Sequence, residues 1–431
     1  MSRPTGFADL AGRRVGLWGY GVEGRAARAR LEGTCELVVV DDRDLGEGVL
    51  VTAEGGLEAL ARCEVVVKSP GVPRRRADVL ALEAGGTVVT SALNLWLHDV
   101  DRRRVIAITG TKGKSTTTSL VAFFLRCLGE EAHELGNIGR PPYDPELDVS
   151  SGWLVVEVSS FQCVDLTVAP SLVLVTSLGS DHLDWHGSIE QYHDDKLSLT
   201  RASGEHVTLI ADDVELERAR PLMGGHINVA LSDETGLAHE LRLLGVHSDH
   251  NVGLALEACA LVTGRSGSEV RAAVAARAHD FVPLRGRLTL LDTRAPASGA
   301  VRFVDDGLAT APLPTIAALR VFPDDALSLI AGGFDRGVDY ADLVEELRSR
   351  RAPTTLVVIG PAGERLGATC EGVRVAHAAD MDEAVRRAYD AVATGGVVLF
   401  SPAAPSFDAY RNWSERSDAF TRAVQVVLGE Q

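Results

Sequence analysis

VIAITGTKGKSTTTS, residues 105–119, decides the fold of this chain. A short β-branched run meets a Gly-Thr-Lys-Gly turn. Lys114-Ser115-Thr116 and an amphipathic run to Leu128 follow. That order predicts a strand, a tight loop and a helix. The glycines let backbone N–H groups turn inward around a polyphosphate, and the helix N-terminus adds partial positive charge. Lys114 would reach the β/γ-phosphates, and the Ser115 hydroxyl would sit on Mg²⁺. The usual GxxxxGK[ST] pattern would put its first glycine at Ile108, so the match is a variant. An ordinary glycine turn is the alternative; the order of the three segments favours a mononucleotide site on an α/β domain.

Composition narrows the rest. The chain has 431 residues, enough for two to four domains, and 45% of them are hydrophobic, enough for packed cores. No apolar run reaches membrane-spanning length, and the first residues lack the apolar core of a signal peptide. Six scattered cysteines with no CxxC pair argue against a zinc site or a disulfide scaffold. A cytoplasmic location is therefore expected, with no membrane partner. The net charge of −17 disfavours nucleic acid. Of the 43 basic residues only four are lysines: Lys68, Lys112, Lys114 and Lys196. A lysine retained in such a composition is a candidate for work that arginine cannot do.

Upstream, the first ~95 residues read as an open α/β unit. Val15–Trp18 runs into Gly19-Tyr20-Gly21-Val22-Glu23-Gly24, a GxGxxG turn, and then into a helix through Leu31. The next strand ends in Asp41-Asp42-Arg43, an acidic residue about 20 positions on. Val65–Val67 leads into Lys68-Ser69-Pro70-Gly71-Val72 at the same sheet edge. These loops suit a nucleotide or sugar-nucleotide and do not require hydride transfer.

Downstream, Trp153–Val158 is a buried strand carrying Glu157, placed to hold Mg²⁺ directly or through water. The segment 179–187 is dense in Asp and His, with a capped helix start as the alternative reading. Asp249–Thr263 reads as a helix. After the turn-rich 283–287 segment, strands and helices alternate again. The strands end at Asp305-Asp306-Gly307, Gly332-Gly333, Gly360-Pro361 and Ser401-Pro402.

TGTKGKSTT, GNIG, EVSSFQ, DHLDWHGS followed by Lys196, GVHSDHN, PLRGR, DDGLAT, GGFDRG and SPAAPSFD occur in this order. Together they resemble the Mur ligases, ATP-dependent amide-forming enzymes of peptidoglycan precursor synthesis. The resemblance spans essentially the whole chain. It implies three α/β domains: a Rossmann-like UDP-substrate domain over 1–98, a P-loop ATPase domain over 99–283 and a Rossmann-like amino-acid domain over 284–431. It implies acyl-phosphate chemistry with Lys114, Glu157, His182 and Lys196 as catalytic residues. Two Mg²⁺ sites are implied on Ser115, Glu157, His182 and a carbamylated Lys196; the bland alternative for Lys196 is a surface helix lysine after Asp194 and Asp195.

The ATP contacts it implies are Gly110, Thr111, Lys112, Gly113, Lys114, Ser115, Thr116, Asn251, Arg287 and Asp306. Ser248 stands where the family usually has Asn. Val22, Glu23, Asp41, Arg43, Ser69, Pro70, Gly71 and Asn137 would hold UDP-N-acetylmuramoyl-L-alanine. Thr310, Arg336, Ser406 and Phe407 would hold glutamate. Leu308 replaces a lysine usual in the D-glutamate-adding branch, and Arg336 replaces another. The pattern resembles a branch that adds L-glutamate and leaves inversion to a separate glutamyl epimerase. A monomer is expected. Competing readings are a folylpolyglutamate-type ligase, opposed by the GxGxxG domain; a non-catalytic UDP-sugar binder, opposed by the retained Lys114, Ser115, Glu157, His182 and Lys196; and an NAD dehydrogenase, which leaves the 110–116 loop unexplained.

Overall fold

The computed structural model describes residues 4–46, 48–294, 299–407 and 409–429, with only the backbone of Asp184. Asp408, which closes the SPAAPSFD motif, lies outside the described residues. The chain packs as two compact units. One comprises Met1–Thr235 and Asp249–Ala278, the other Gly236–Ser248 and His279–Gln431.

The first unit holds two parallel sheets. In the N-terminal sheet the strands lie in the order Leu50–Val51, Glu36–Asp41, Arg14–Trp18, Val65–Lys68, Val88–Thr90. In the central sheet the order is His226–Ala230, Val207–Ala211, Leu172–Val175, Val105–Thr109, Trp153–Glu157, Ala132–Gly136. Interior strands such as VIAIT and LVLV are buried at every residue. That continuous apolar character is what helices on both faces of a parallel sheet demand. Each order reverses beside its first strand, Arg14–Trp18 or Val105–Thr109, and ligands gather at such switch points, outside the strands' carboxyl ends.

One apolar core joins the two sheets, running from Phe7, Val15 and Leu17 through Leu95 and Trp96 to Val156 and Val173. Polar contacts cross the same seam. Lys68 Nζ meets Asp165 Oδ2 at 2.5 Å, with side chains 0% and 2% exposed. Glu23 accepts from Tyr143 and Gln162, and Arg75 pairs with Asp195. Burial pushes the Asp165 carboxyl up, opposed by the Lys68 charge, so removing the lysine leaves an uncompensated buried acid. Lys68→Met is expected to cost about 3 kcal/mol, since Arg74 stands only 3.8 Å from Asp165 and partly substitutes. The double variant Lys68→Met/Asp165→Leu should lie closer to the parent than the single variant does. Thermal unfolding midpoints check both; equal losses in the single and double variants would refute the account.

In the second unit the order is Thr289–Arg294, Val301–Asp305, Gly396–Phe400, Leu327–Gly332, Thr354–Ile359, Arg374–His377. Only the first pairing, at the edge, is antiparallel. Apolar clusters cover both faces. Gly236–Ser248, which the sequence reading places within 99–283, packs here because Leu244 rests on this core beside Val321. Among the described residues no helix is long and apolar enough to cross a membrane.

Candidate active site

The phosphate-type loop follows Val105–Thr109 and opens the helix Lys114–Cys127. Two glycines are required by its path. Gly110 has φ +143°, and a Cβ there would lie 2.1 Å from Thr176 Oγ1. Gly113 has φ +86°, with a Cβ 2.6 Å from Asn251 Oδ1. The loop is stapled to the neighbouring strand end. Thr111 N–H donates to Ser177 O at 2.9 Å, and Lys112 N–H donates to Ser177 Oγ at 2.8 Å. Tyr192 O–H donates to Thr111 Oγ1 at 3.0 Å. Asn251, expected toward the nucleotide, is buried against this loop, where its Oδ1 accepts from Thr117 Oγ1 at 3.2 Å. Ser115 is buried at the first turn of the helix, next to Thr116.

Two lysine amines converge on one carbonyl. Lys114 Nζ donates to Gly110 O at 2.9 Å and to Thr111 O at 3.2 Å. Lys196 Nζ donates to the same Gly110 O at 2.9 Å. Lys196 is not a surface lysine: it is 1% exposed, 4.9 Å above the Tyr192 ring. Burial first, and the Lys114 charge second, lower its pKa to about 7. Near neutral pH much of this amine therefore lacks its proton.

Glu157 ends the adjacent strand, in register with Ile108. It is 1% exposed. Its Oε1 accepts from Asn137 Nδ2 at 2.8 Å, while its Oε2 is buried with no hydrogen-bond partner. A buried carboxylate oxygen left open beside a phosphate loop is one a cation would satisfy. Asn137 thus spends a donor on Glu157, and it does not line the N-terminal pocket described below.

His182 sits at φ +49°, exposed, with its ring 4.9 Å from that of Phe161. The buried histidine is His186. Its Nδ1 is 2.8 Å from Asp195 Oδ2 and its Nε2 3.0 Å from Ser160 Oγ. Burial pulls its pKa down despite Asp195. Asp195 is also gripped by Arg75 through two bonds of 2.8 and 2.6 Å. Sequence reasoning missed this Arg75–Asp195–His186 array. Its one signal was the second histidine of DHLDWHGS, which spacing alone does not separate from His182. Among the described residues no three His, Cys, Asp or Glu side chains are grouped to hold an ion.

At the carboxyl ends of the N-terminal sheet lies a cavity of about 510 Å³. Val22, Glu23, Asp41, Arg43, Ser69, Pro70 and Gly71 line it, with Trp18, Gly19, Gly21, Asp42 and Val72. The Glu23 carboxylate accepts from Tyr143 O–H at 2.9 Å and Gln162 Nε2 at 2.5 Å. Asp41 accepts from the Tyr20 N–H at 2.7 Å and the Arg43 N–H at 3.0 Å. Burial opposes its charge, but these bonds prevail and hold its pKa below the ordinary value.

In the second unit the strand-end loops carry the remaining expected residues. Asp306 is buried, its Oδ2 accepting from Ser401 Oγ at 2.7 Å. Burial, aided by neighbouring Asp305, raises its pKa to about 7 against these bonds. Arg287, Arg336 and Phe407 are exposed, Thr310 and Leu308 half-buried, and Ser406 buried. Asp335, next to Arg336, is held by two Arg365 bonds of 2.8 Å. Ser248 turns its hydroxyl onto Leu244 O at 2.8 Å.

Comparison with known proteins bears on this arrangement. A family model for the Mur ligase middle domain matches residues 108–234. A UDP-N-acetylmuramoyl-L-alanine–L-glutamate ligase of Micromonospora sp. is 37% identical over 98% of this chain and 99% of its own. The same-named protein of Xanthomonas axonopodis pv. citri is 35% identical over 96% of each. A UDP-N-acetylmuramoylalanine–D-glutamate ligase of Symbiobacterium thermophilum is 33% identical over 88% of this chain and 87% of its own. The fold is shared with the MurF ligase of Thermotoga maritima, solved in complex with ADP. That likeness has a TM-score of 0.56 at 14% identity, covering 99% of this chain and 97% of that one.

Proposed function

This chain belongs to the Mur ligase family, and on that premise we propose that it joins glutamate to UDP-N-acetylmuramoyl-L-alanine at the expense of ATP. The observation that carries the reading is the meeting of Lys114 and Lys196 on the Gly110 carbonyl, with the open oxygen of Glu157 on the adjacent strand. Phosphoryl transfer between two anions needs positioning and charge neutralisation more than covalent help. The loop amides and Lys114 supply both. A substrate carboxylate oxygen attacks the γ-phosphorus, the bond to the β-phosphate oxygen breaks, and ADP leaves. The amine of glutamate then attacks the acyl carbon. The carbon–oxygen bond to phosphate breaks, phosphate departs, and the amine gives up its proton.

Ser115, Glu157, His182 and Lys196 are the residues that would hold Mg²⁺, which neutralises phosphate charge when bound. The open Glu157 oxygen fits that role. Lys196, buried and with its pKa lowered to about 7, suits carbamylation, which turns an amine into an anionic ligand. His182 keeps an exposed ring, whereas both His186 nitrogens are engaged. The sugar-nucleotide would occupy the cavity between Gly21–Glu23, Asp41–Arg43 and Ser69–Val72. Thr310, Arg336, Ser406 and Phe407 would receive glutamate; Asn251, Arg287 and Asp306 would serve ATP.

Leu308 in place of a cation, and Arg336 in place of another, support L-glutamate, as do the names of the relatives quoted from Micromonospora and Xanthomonas. A glutamyl epimerase would then act on the product. We read the domains as 1–98, 99–283 and 284–431, and the protein as a cytoplasmic monomer. Phosphate release is the test, with ATP, Mg²⁺, UDP-N-acetylmuramoyl-L-alanine and each enantiomer of glutamate. Turnover with L-glutamate is expected. Turnover with the D form alone overturns the stereochemical assignment, and none with either overturns the function.

A further inference from the structure

Arg416 lies on the last long helix, Trp413–Leu428, and is 1% exposed. Its guanidinium donates to carbonyls on three separate loops. Nη1 reaches Pro405 O at 2.9 Å and Gly332 O at 3.3 Å. Nη2 reaches Ala404 O at 2.8 Å and, at the limit of bonding, Gly307 O at 3.5 Å. The Phe400 ring lies 5.7 Å from the guanidinium carbon. These acceptors sit beside the residues expected to hold the amino acid: Gly307 precedes Thr310, Gly332 precedes Arg336, and Pro405 precedes Ser406.

The loops it gathers have no slack. Phe334 N–H donates to Pro405 O at 2.9 Å, and Gly332 N–H to Pro402 O at 2.8 Å. A Cβ on Gly333 would lie 2.3 Å from Pro405 O and 2.7 Å from Arg416 Nη1. A planar fork with five donors in fixed directions can set the spacing of several loops at once. A lysine ammonium, a point charge on a flexible stem, cannot.

We propose that Arg416 is a positioning residue that fixes the spacing of the three loops around the incoming amino acid and so governs its recognition and stereochemical selection. This rests on the reading of these loops as the glutamate site. Arg416 is buried behind the loops and acts through them.

The test uses the full-length enzyme and steady-state phosphate release. Arg416→Lys keeps the charge but loses the fork. It should raise KM for glutamate about tenfold or more and narrow the preference between L- and D-glutamate, with KM for ATP and for the sugar-nucleotide within about twofold of the parent. Gly333→Ala forces the same loops apart from the other side and should reproduce the pattern. If Arg416→Lys does not fold, judged by circular dichroism, the same constants measured on Gly333→Ala decide. An unchanged KM for glutamate, or equal rises in all three KM values, overturns the proposal. Absence of turnover in the parent with either enantiomer would instead refute the glutamate reading itself.

Discussion

Lys196→Arg is expected to abolish turnover, lowering kcat/KM by about 10³-fold or more although a positive charge is retained. Lys196 is 1% exposed, and its amine donates to the Gly110 carbonyl. Burial and the adjacent Lys114 charge bring its pKa to about 7, against an ordinary lysine value of 10.5. The free amine can attack the carbon of dissolved CO₂. An N–C bond would form as one C=O π pair moves onto oxygen, the nitrogen would lose a proton to solvent, and an anionic carbamate would result. A guanidinium stays protonated throughout this range and cannot follow. The sign of the pH effect follows. Protein stripped of CO₂ should regain activity, at a fixed concentration of dissolved CO₂, at a rate that rises as pH passes through about 7 and levels above it. A variant keeping more than a tenth of parental turnover, or reactivation that climbs only above pH 9, would sink this account.

Lys114→Ala should be as damaging, removing about 10³-fold in turnover. Its amine sits on Gly110 O and Thr111 O, where β/γ-phosphate oxygens would draw it outward. A second consequence separates this loss from simple misfolding. Lys114 is the second-largest cause of the low Lys196 pKa, so removing it should move that pKa upward. Carbamate formation on Lys196, followed by ¹³C NMR with labelled CO₂, should then need higher pH than in the parent. An unchanged midpoint would mean that the two amines do not feel each other.

What was legible in the sequence was local. Val105–Thr109, the glycine turn and the helix Lys114–Cys127 fall where the pattern placed them, because glycine and β-branched spacing act within a few residues. The loops at Gly21–Glu23, Asp41–Arg43 and Ser69–Gly71 line one cavity because each follows a strand of the same parallel sheet. What was not legible depends on distant elements. Asp195 entered the sequence reading only as a neighbour of Lys196, yet it is buried and paired with Arg75, 120 positions away. Glu23 lines the cavity, but the partners of its carboxylate, Tyr143 and Gln162, lie 120 and 139 positions away. Arg416 is one arginine among many until the fold brings Gly307, Gly332, Ala404 and Pro405 to its fork. Short edge strands such as Leu50–Val51 and Arg374–His377 carry too little apolar alternation to announce themselves.

The seam between the N-terminal and central sheets limits how this protein can be cut. Removing the first sheet would strip Lys68 from Asp165, Glu23 from Tyr143 and Arg75 from Asp195, and would bare half of a shared apolar core. A fragment cut free of that sheet would therefore expose this core surface to water, and the compact unit bearing the lysine pair is Met1–Thr235 together with Asp249–Ala278.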